Sequence, residues 1–281
     1  MGTNRRNFLK ASGLGMVAAS MPVFSGAAGL QAPALRGDFL FELGVASYSL
    51  RKFPVEKALD MTARLGIKKI SFKDFHLKLN ADKETIAKTV TLCKGKGIDL
   101  YSGGVIYMRS KADVDQAFEY ARAAEMKMII GVPNHEFLDY VEEKIIEYNI
   151  PVAIHNHGPG DKLYPSAESA FNLIKNRDKR FGLCIDIGHT KRINRDPEQD
   201  LVDFFTRVFD IHIKDVTAAS AEGGTCAIGR GVINIPSFLK TVIKKKYSGV
   251  LSLEYEADAD DPMPGMAESF GYVRGVLAMM S

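Results

Sequence analysis

The chain has 281 residues, 46% of them hydrophobic and 25% charged, with a formal net charge of +3. That length and apolar share suit a large buried core, and so small a charge excess gives no footprint for a polyanionic partner such as nucleic acid. Three cysteines, Cys93, Cys184 and Cys226, are an odd number with no short spacing, which points to neither a disulfide framework nor a zinc knuckle.

The first recognisable element precedes the fold. Asn4 to Lys10 carry the twin arginines Arg5 and Arg6, followed by an uncharged small-residue segment from Ala11 to Leu30. This reads as an export signal, with residues 1–36 as leader and short linker, cleavage near Ala27 to Ala32 and periplasmic delivery. Gly13, Gly15, Pro22, Ser25 and Gly26 interrupt the apolar stretch, so no stable membrane insertion is expected.

From residue 37 onward the chain alternates. Apolar runs suited to buried parallel strands fall at Leu43–Tyr48, Lys68–Phe72, Asp99–Gly103, Lys127–Val132, Val152–His155, Gly182–Asp186, Val208–Ile213 and Val250–Tyr255. Segments of helical periodicity lie after each. The first is marked by Val55, Ala58, Leu59, Met61, Thr62 and Leu65; the others run near Asp82–Gly97, Ser110–Met126, His135–Asn149, Ser166–Asn176, Glu198–Val208, Ile235–Lys246 and Gly265–Met280. Eight strands with eight helices predict an α/β fold, a single (β/α)8 TIM barrel over residues 37–281. A doubly wound open sheet shares the alternation but would show a glycine-rich turn after its first strand. Here that strand runs into "SYSLRKF".

In such a barrel the C-terminal ends of the strands carry the chemistry. All six histidines, His76, His135, His155, His157, His189 and His212, follow or close an apolar run. His155 on the fifth strand, Asp186 on the sixth, His212 on the seventh and Glu254 on the eighth converge if the strands close in order. Two imidazoles and two carboxylates suit one divalent metal, Mn2+, Zn2+, Co2+ or Fe2+, better than Mg2+. Any one of these histidines alone reads more simply as a hydrogen-bonded structural residue; four such side chains on consecutive strands reverse that balance.

His157 and Glu256 lie two residues beyond His155 and Glu254, on the same side of their strands, as proton carriers or as groups that hydrogen-bond the ligands from behind. His189 is placed to bind a substrate hydroxyl or a second metal. Lys214 is a candidate for anchoring a substrate oxygen, or else pairs with Asp215 at the surface of the loop mouth. Cys184, inside "FGLCIDI", reads as a buried core thiol.

The motifs "CIDIGH", "IHIKD", "LSLEYE" and the loop "IGRGVINIP", with Gly229, Arg230 and Gly231, make the chain from about Phe39 onward resemble the xylose isomerase-like TIM barrel superfamily, in its sugar phosphate isomerase and epimerase branch. The likeness is carried by the second half; the first half matches in layout. It implies a Glu, an Asp, a His and a Glu at the ends of strands five to eight around one metal, commonly Mn2+. His155 departs from this pattern by standing where the family has glutamate, which removes one of the two opposed bases of an epimerase. A single base, Glu254 or His157, suffices for proton abstraction next to a carbonyl through an enediolate that the metal stabilises.

The expected function is therefore metal-dependent sugar isomerisation or epimerisation on a small-molecule sugar or ketosugar, with unphosphorylated substrates favoured because no glycine-rich phosphate cradle is evident. Three other functions use parts of the same pattern. A lyase or hydrolase acting on ketosugars would share the metal and base and expel a leaving group, and product analysis separates it. A non-catalytic periplasmic sugar-binding barrel would lack proton exchange at the sugar carbon. An abasic-site endonuclease would recruit His76 and His135 to further zinc ions, but the Asp-x-His pair it needs after His212 is missing. No pattern specifies an oligomeric state.

Overall fold

The structure, a computed structural model, describes residues 39–280. The twin-arginine leader and its linker lie outside those residues. The strands are β1 (Glu42–Ala46), β2 (Lys69–Phe72), β3 (Asp99–Met108), β4 (Met128–Pro133), β5 (Val152–His155), β6 (Phe181–Asp186), β7 (Val208–Ile213), β8 (Asp215–Val216), β9 (Thr225–Cys226) and β10 (Val250–Leu253). Eight of them close a barrel in the order β1-β10-β7-β6-β5-β4-β3-β2, with every neighbouring pair parallel. Helices on the outside and side chains inside cover both faces, which is why β4 (MIIGVP) and β6 (FGLCID) are buried along their whole length. β8 and β9 form a separate antiparallel hairpin beyond β7.

The helices are α1 (Val55–Arg64), α2 (Lys83–Gly95), α3 (Lys111–Ala123), α4 (Leu138–Tyr148), α5 (Ala167–Ile174), α6 (Ile187–Arg192), α7 (Pro197–Phe204), α8 (Ile235–Lys244) and α9 (Met263–Ala278). Their starts are chemically marked. Asp82, Ser110, Ser166, Asp196 and Asn234 each accept a backbone N–H of the first turn of the helix that follows. Val114, Ala117, Phe118 and Ala121 give α3 its buried stripe at the spacing of one helical face. Among the described residues no helix is long and apolar enough to cross a membrane.

Three departures from the sequence-based elements reshape the mouth of the barrel. The first strand stops at Ala46, and Ser47–Leu50 form a 3-10 turn. β3 runs on to Met108, five residues past the expected end at Gly103. The two glycines there are not a turn: a Cβ on Gly104 would stand 2.5 Å from the Ile130 Cβ, so glycine permits the close approach of β3 to β4. The third departure is the short helix α6, which begins directly after Asp186 where a loop is expected.

Candidate active site

His155 is the last residue of β5, Asp186 the last of β6, His212 the penultimate residue of β7, and Glu254 follows β10 directly. The barrel brings one ligand-type atom from each to within 4.8 Å of the others. His155 Nε2 is 3.1 Å from His212 Nδ1 and 3.7 Å from Asp186 Oδ2, and His212 Nδ1 is 3.4 Å from Glu254 Oε2. All four residues are buried.

Three of their polar atoms, His155 Nδ1, Asp186 Oδ2 and His212 Nε2, are buried with no hydrogen-bond partner. Asp186 Oδ2, which lies 3.0 Å from the Lys214 ammonium, also faces His155 Nε2 at 3.7 Å and His189 Nε2 at 3.9 Å, and a buried carboxylate oxygen among imidazole nitrogens fits a cation-binding donor set. Behind His212, the Asp210 carboxylate stands 3.7 Å from Nε2 and accepts a hydrogen bond from the Tyr101 hydroxyl at 3.1 Å. A carboxylate behind a ligating imidazole orients such a ring and raises its basicity.

Lys214 is the least expected member. It is buried, and its ammonium lies 3.0 Å from Asp186 Oδ2, 2.8 Å from Glu254 Oε2 and 2.9 Å from Glu256 Oε1. The alternative of a surface pair with Asp215 is thereby corrected. Asp215 is itself buried, and its carboxylate instead accepts backbone N–H groups of Val216, Gly229, Gly231 and Ile233, which ties down the glycine-rich loop. The Arg230 side chain of that loop pairs with Glu268 at the surface.

Charge state follows from this packing. Burial pushes the His155 ring down to about 3 and the His189 ring down to about 4, and lowers His157 as well, so all three are neutral near pH 7. His212 runs the other way: burial would lower it, but the Glu254, Asp210 and Asp186 carboxylates together outweigh that and raise it. Burial likewise opposes the charge on Lys214, and Asp186, Glu254 and Glu256 together hold it well above the ordinary lysine value. Burial pushes Asp210 up to about 6.

His189 sits in the first turn of α6, not on a loop, and its backbone N–H donates to Asp186 Oδ1 at 2.7 Å. With Glu254 and Glu256 it forms a second group of metal-type ligands. His157 is half-buried beside the cluster; its Nε2 is 3.3 Å from the Tyr107 hydroxyl and its Nδ1 3.7 Å from Asp161 Oδ2. His76 and His135 stand apart. His76 is held by the Ser47 hydroxyl at 2.9 Å and the Phe53 carbonyl at 3.2 Å, and His135 contacts the Leu163 carbonyl.

A cavity of about 260 Å3 opens onto the cluster, lined by Tyr48, Lys73, Val105, Tyr107, His155, His157, His189, Glu254 and Glu256. Four of those, Tyr48, Lys73, Val105 and Tyr107, come from the first half of the barrel and are absent from the sequence-based site. Asn156 is a further addition: its amide brackets Asp186, accepting from the backbone N–H at 3.0 Å and donating to the carbonyl at 3.3 Å. Its position between two predicted site histidines was the available signal.

The model of the xylose isomerase-like TIM barrel family matches residues 54–276. Among curated proteins, the chain is 27% identical over 137 residues to the rhizopine catabolism protein MocC of Rhizobium meliloti, covering 43% of this chain and 42% of that one. The matched segment thus spans less than half of that relative. Among solved structures, a protein from Parabacteroides distasonis is 24% identical, with 86% of this chain and 100% of that one covered and a TM-score of 0.67. A D-tagatose 3-epimerase-like protein is 17% identical, with 85% and 98% covered and a TM-score of 0.70. At these identities the two structures speak to the fold.

Proposed function

Since the chain belongs to the xylose isomerase-like TIM barrel family, we propose that it is a metal-dependent enzyme that moves a proton on the carbon next to a carbonyl of a sugar or ketosugar. The observation that carries this reading is the buried set of His155, Asp186, His212 and Glu254 at the ends of successive barrel strands. These four would hold one divalent cation of the Mn2+, Zn2+, Co2+ or Fe2+ type, and such an ion, when bound, supplies Lewis-acid polarisation of a carbonyl.

His157 is the base in this reading. It lines the cavity, burial keeps its ring neutral, and the Tyr107 hydroxyl fixes one ring nitrogen. Glu254 is instead engaged with Lys214 and His212. His189 and Glu256, on the same cavity wall, hold substrate hydroxyls, and Lys214 helps keep the Glu254 and Asp186 carboxylates ionised. With histidine at residue 155, the fifth strand offers no carboxylate to act with Glu254, which favours chemistry through one base. Aldose–ketose isomerisation meets that condition, and so does elimination from a ketosugar; product analysis separates them.

The test is an NMR screen of sugars in D2O with metal-loaded protein, together with metal analysis. His157→Gln should abolish α-proton exchange while leaving metal content unchanged. Exchange in the wild type should persist as pH falls through 6.5, the ordinary histidine value, and decline only below it, because protonation disables the base and burial delays protonation. Protein that takes up none of these divalent metals and, supplied with them, exchanges no sugar proton would remove the reading. Export through the twin-arginine leader is part of the same proposal, and replacing Arg5 and Arg6 by lysine should trap precursor inside the cell.

A further inference from the structure

The cavity wall facing the histidines is built by the first three strands. Tyr48 lies in the 3-10 turn after β1, Lys73 directly follows β2, Tyr107 is the penultimate residue of β3 and Arg109 directly follows that strand. Tyr48 and Tyr107 keep 36% and 39% of their surface exposed at this rim. Lys73 Nζ lies 5.3 Å and Arg109 Cζ 5.0 Å from the centroid of the Tyr107 ring, whose π-face attracts cations. Among the described residues neither cation has a carboxylate within 4.0 Å. Asp74, next to Lys73, is exposed, and Asp161 accepts the backbone N–H groups of Leu163 and Tyr164 beside His157. Lys73 donates one hydrogen bond to the Val105 carbonyl, leaving two N–H donors on its ammonium.

Charge balance shows what such a wall would receive. On the far side, Asp186, Glu254 and Glu256 bring three negative charges and Lys214 one positive charge. A divalent cation held there would offset the two net negative charges of these four groups. Lys73 and Arg109 then stand beside the cavity without a close ion pair, Asp74 and Glu254 acting on Lys73 only from beyond 4.0 Å, and burial of Lys73, which lines the cavity, disfavours charging its amine. A neutral sugar would leave both charges unanswered, whereas an oxyanion would answer them.

We propose that Lys73 and Arg109 form an anion subsite for a carboxylate or phosphate group on the substrate, which makes the preferred ligand a sugar acid or sugar phosphate rather than a neutral sugar. This rests on the cavity being the sugar site proposed above, and it revises the sequence-based preference for unphosphorylated, neutral substrates.

The test is calorimetric titration of the purified, metal-loaded protein with D-glucose, D-glucuronate and D-glucose 6-phosphate at fixed ionic strength. It is repeated with Lys73→Gln, Arg109→Gln and the double variant after their melting temperatures and metal contents are matched to the wild type. At least one anionic sugar should bind tenfold or more tightly than glucose, with the advantage shrinking in added salt and vanishing in the double variant. The tighter anion identifies carboxylate or phosphate as the recognised group. No advantage for either anion, including no binding of any of the three, or an advantage that survives in the double variant, overturns the proposal. Because binding is read without turnover, a retained anion preference in protein that fails the proton-exchange screen would sink the isomerase reading and leave the subsite standing.

Discussion

The two halves of the barrel present opposite chemistry to one cavity. β5, β6, β7 and β10 end in imidazoles and carboxylates, buried and interlocked around Lys214. β1, β2 and β3 end in tyrosines and unpaired cations, half-exposed and held by ring contacts and backbone carbonyls. The fold repeats one strand–helix unit around the ring, so the contrast lies chiefly in the side chains at the strand ends. A pre-arranged, desolvated cluster suits the reacting atoms, and a wetter, adaptable rim suits the part of a ligand that distinguishes one sugar from another.

The largest expected effect lies in the buried half. Glu254→Gln should lower α-proton exchange by about a hundredfold or more and reduce metal content, checked by NMR and elemental analysis. Unchanged metal content with unchanged exchange would break the contrast between the halves. Next comes Lys214→Met. Removing the ammonium leaves Asp186, Glu254 and Glu256 without their shared partner, so the chelated protein should lose about 3–5 kcal/mol of stability in denaturant melts. Added metal should restore much of that loss and should bind the variant more tightly than the wild type, because both seek the same two oxygens.

A smaller change is expected from His155→Glu. The protein should still take up metal, with preference shifted toward Mn2+ or Mg2+ in competition assays, because a carboxylate is the harder ligand. An unchanged preference would remove His155 from the donor set. The smallest effect joins the halves: Tyr107→Phe deletes the hydroxyl 3.3 Å from His157 Nε2 and should slow exchange by about threefold to tenfold, the worth of one net hydrogen bond, with metal content intact.

The buried half was legible in the sequence because histidines and acids stand out against apolar runs, and a (β/α)8 reading assigns them to one end of the barrel. Eight strands and eight of the nine helices follow from the same periodicity. What escaped has local causes. Gly103 and Gly104 look like the end of a strand, but they serve close packing, Gly104 against Ile130 and Gly103 against Met126 and Tyr120, and the strand continues through Tyr107. Lys73, Tyr107 and Arg109 are residue types that surfaces carry everywhere, and only the closure of the barrel gives them a common ring. α6, at six residues, is too short to show a hydrophobic period. One of the two sequence readings of Lys214 pairs it with its neighbour Asp215, but the two side chains go to different partners.

Asp186 has two employments, and they are separable. Its Oδ1 closes the first turn of α6 on the His189 amide, while Oδ2 faces the cation cluster. Asparagine caps a helix about as well as aspartate does but carries no charge. Asp186→Asn would therefore leave the entry to α6 intact while weakening the hold on a cation. The amide proton of His189 then becomes a reporter: its exchange with solvent tells whether the carboxylate is clamped by a bound ion or is free to release the turn. Ion occupancy would be read from one backbone resonance, without any substrate in the tube.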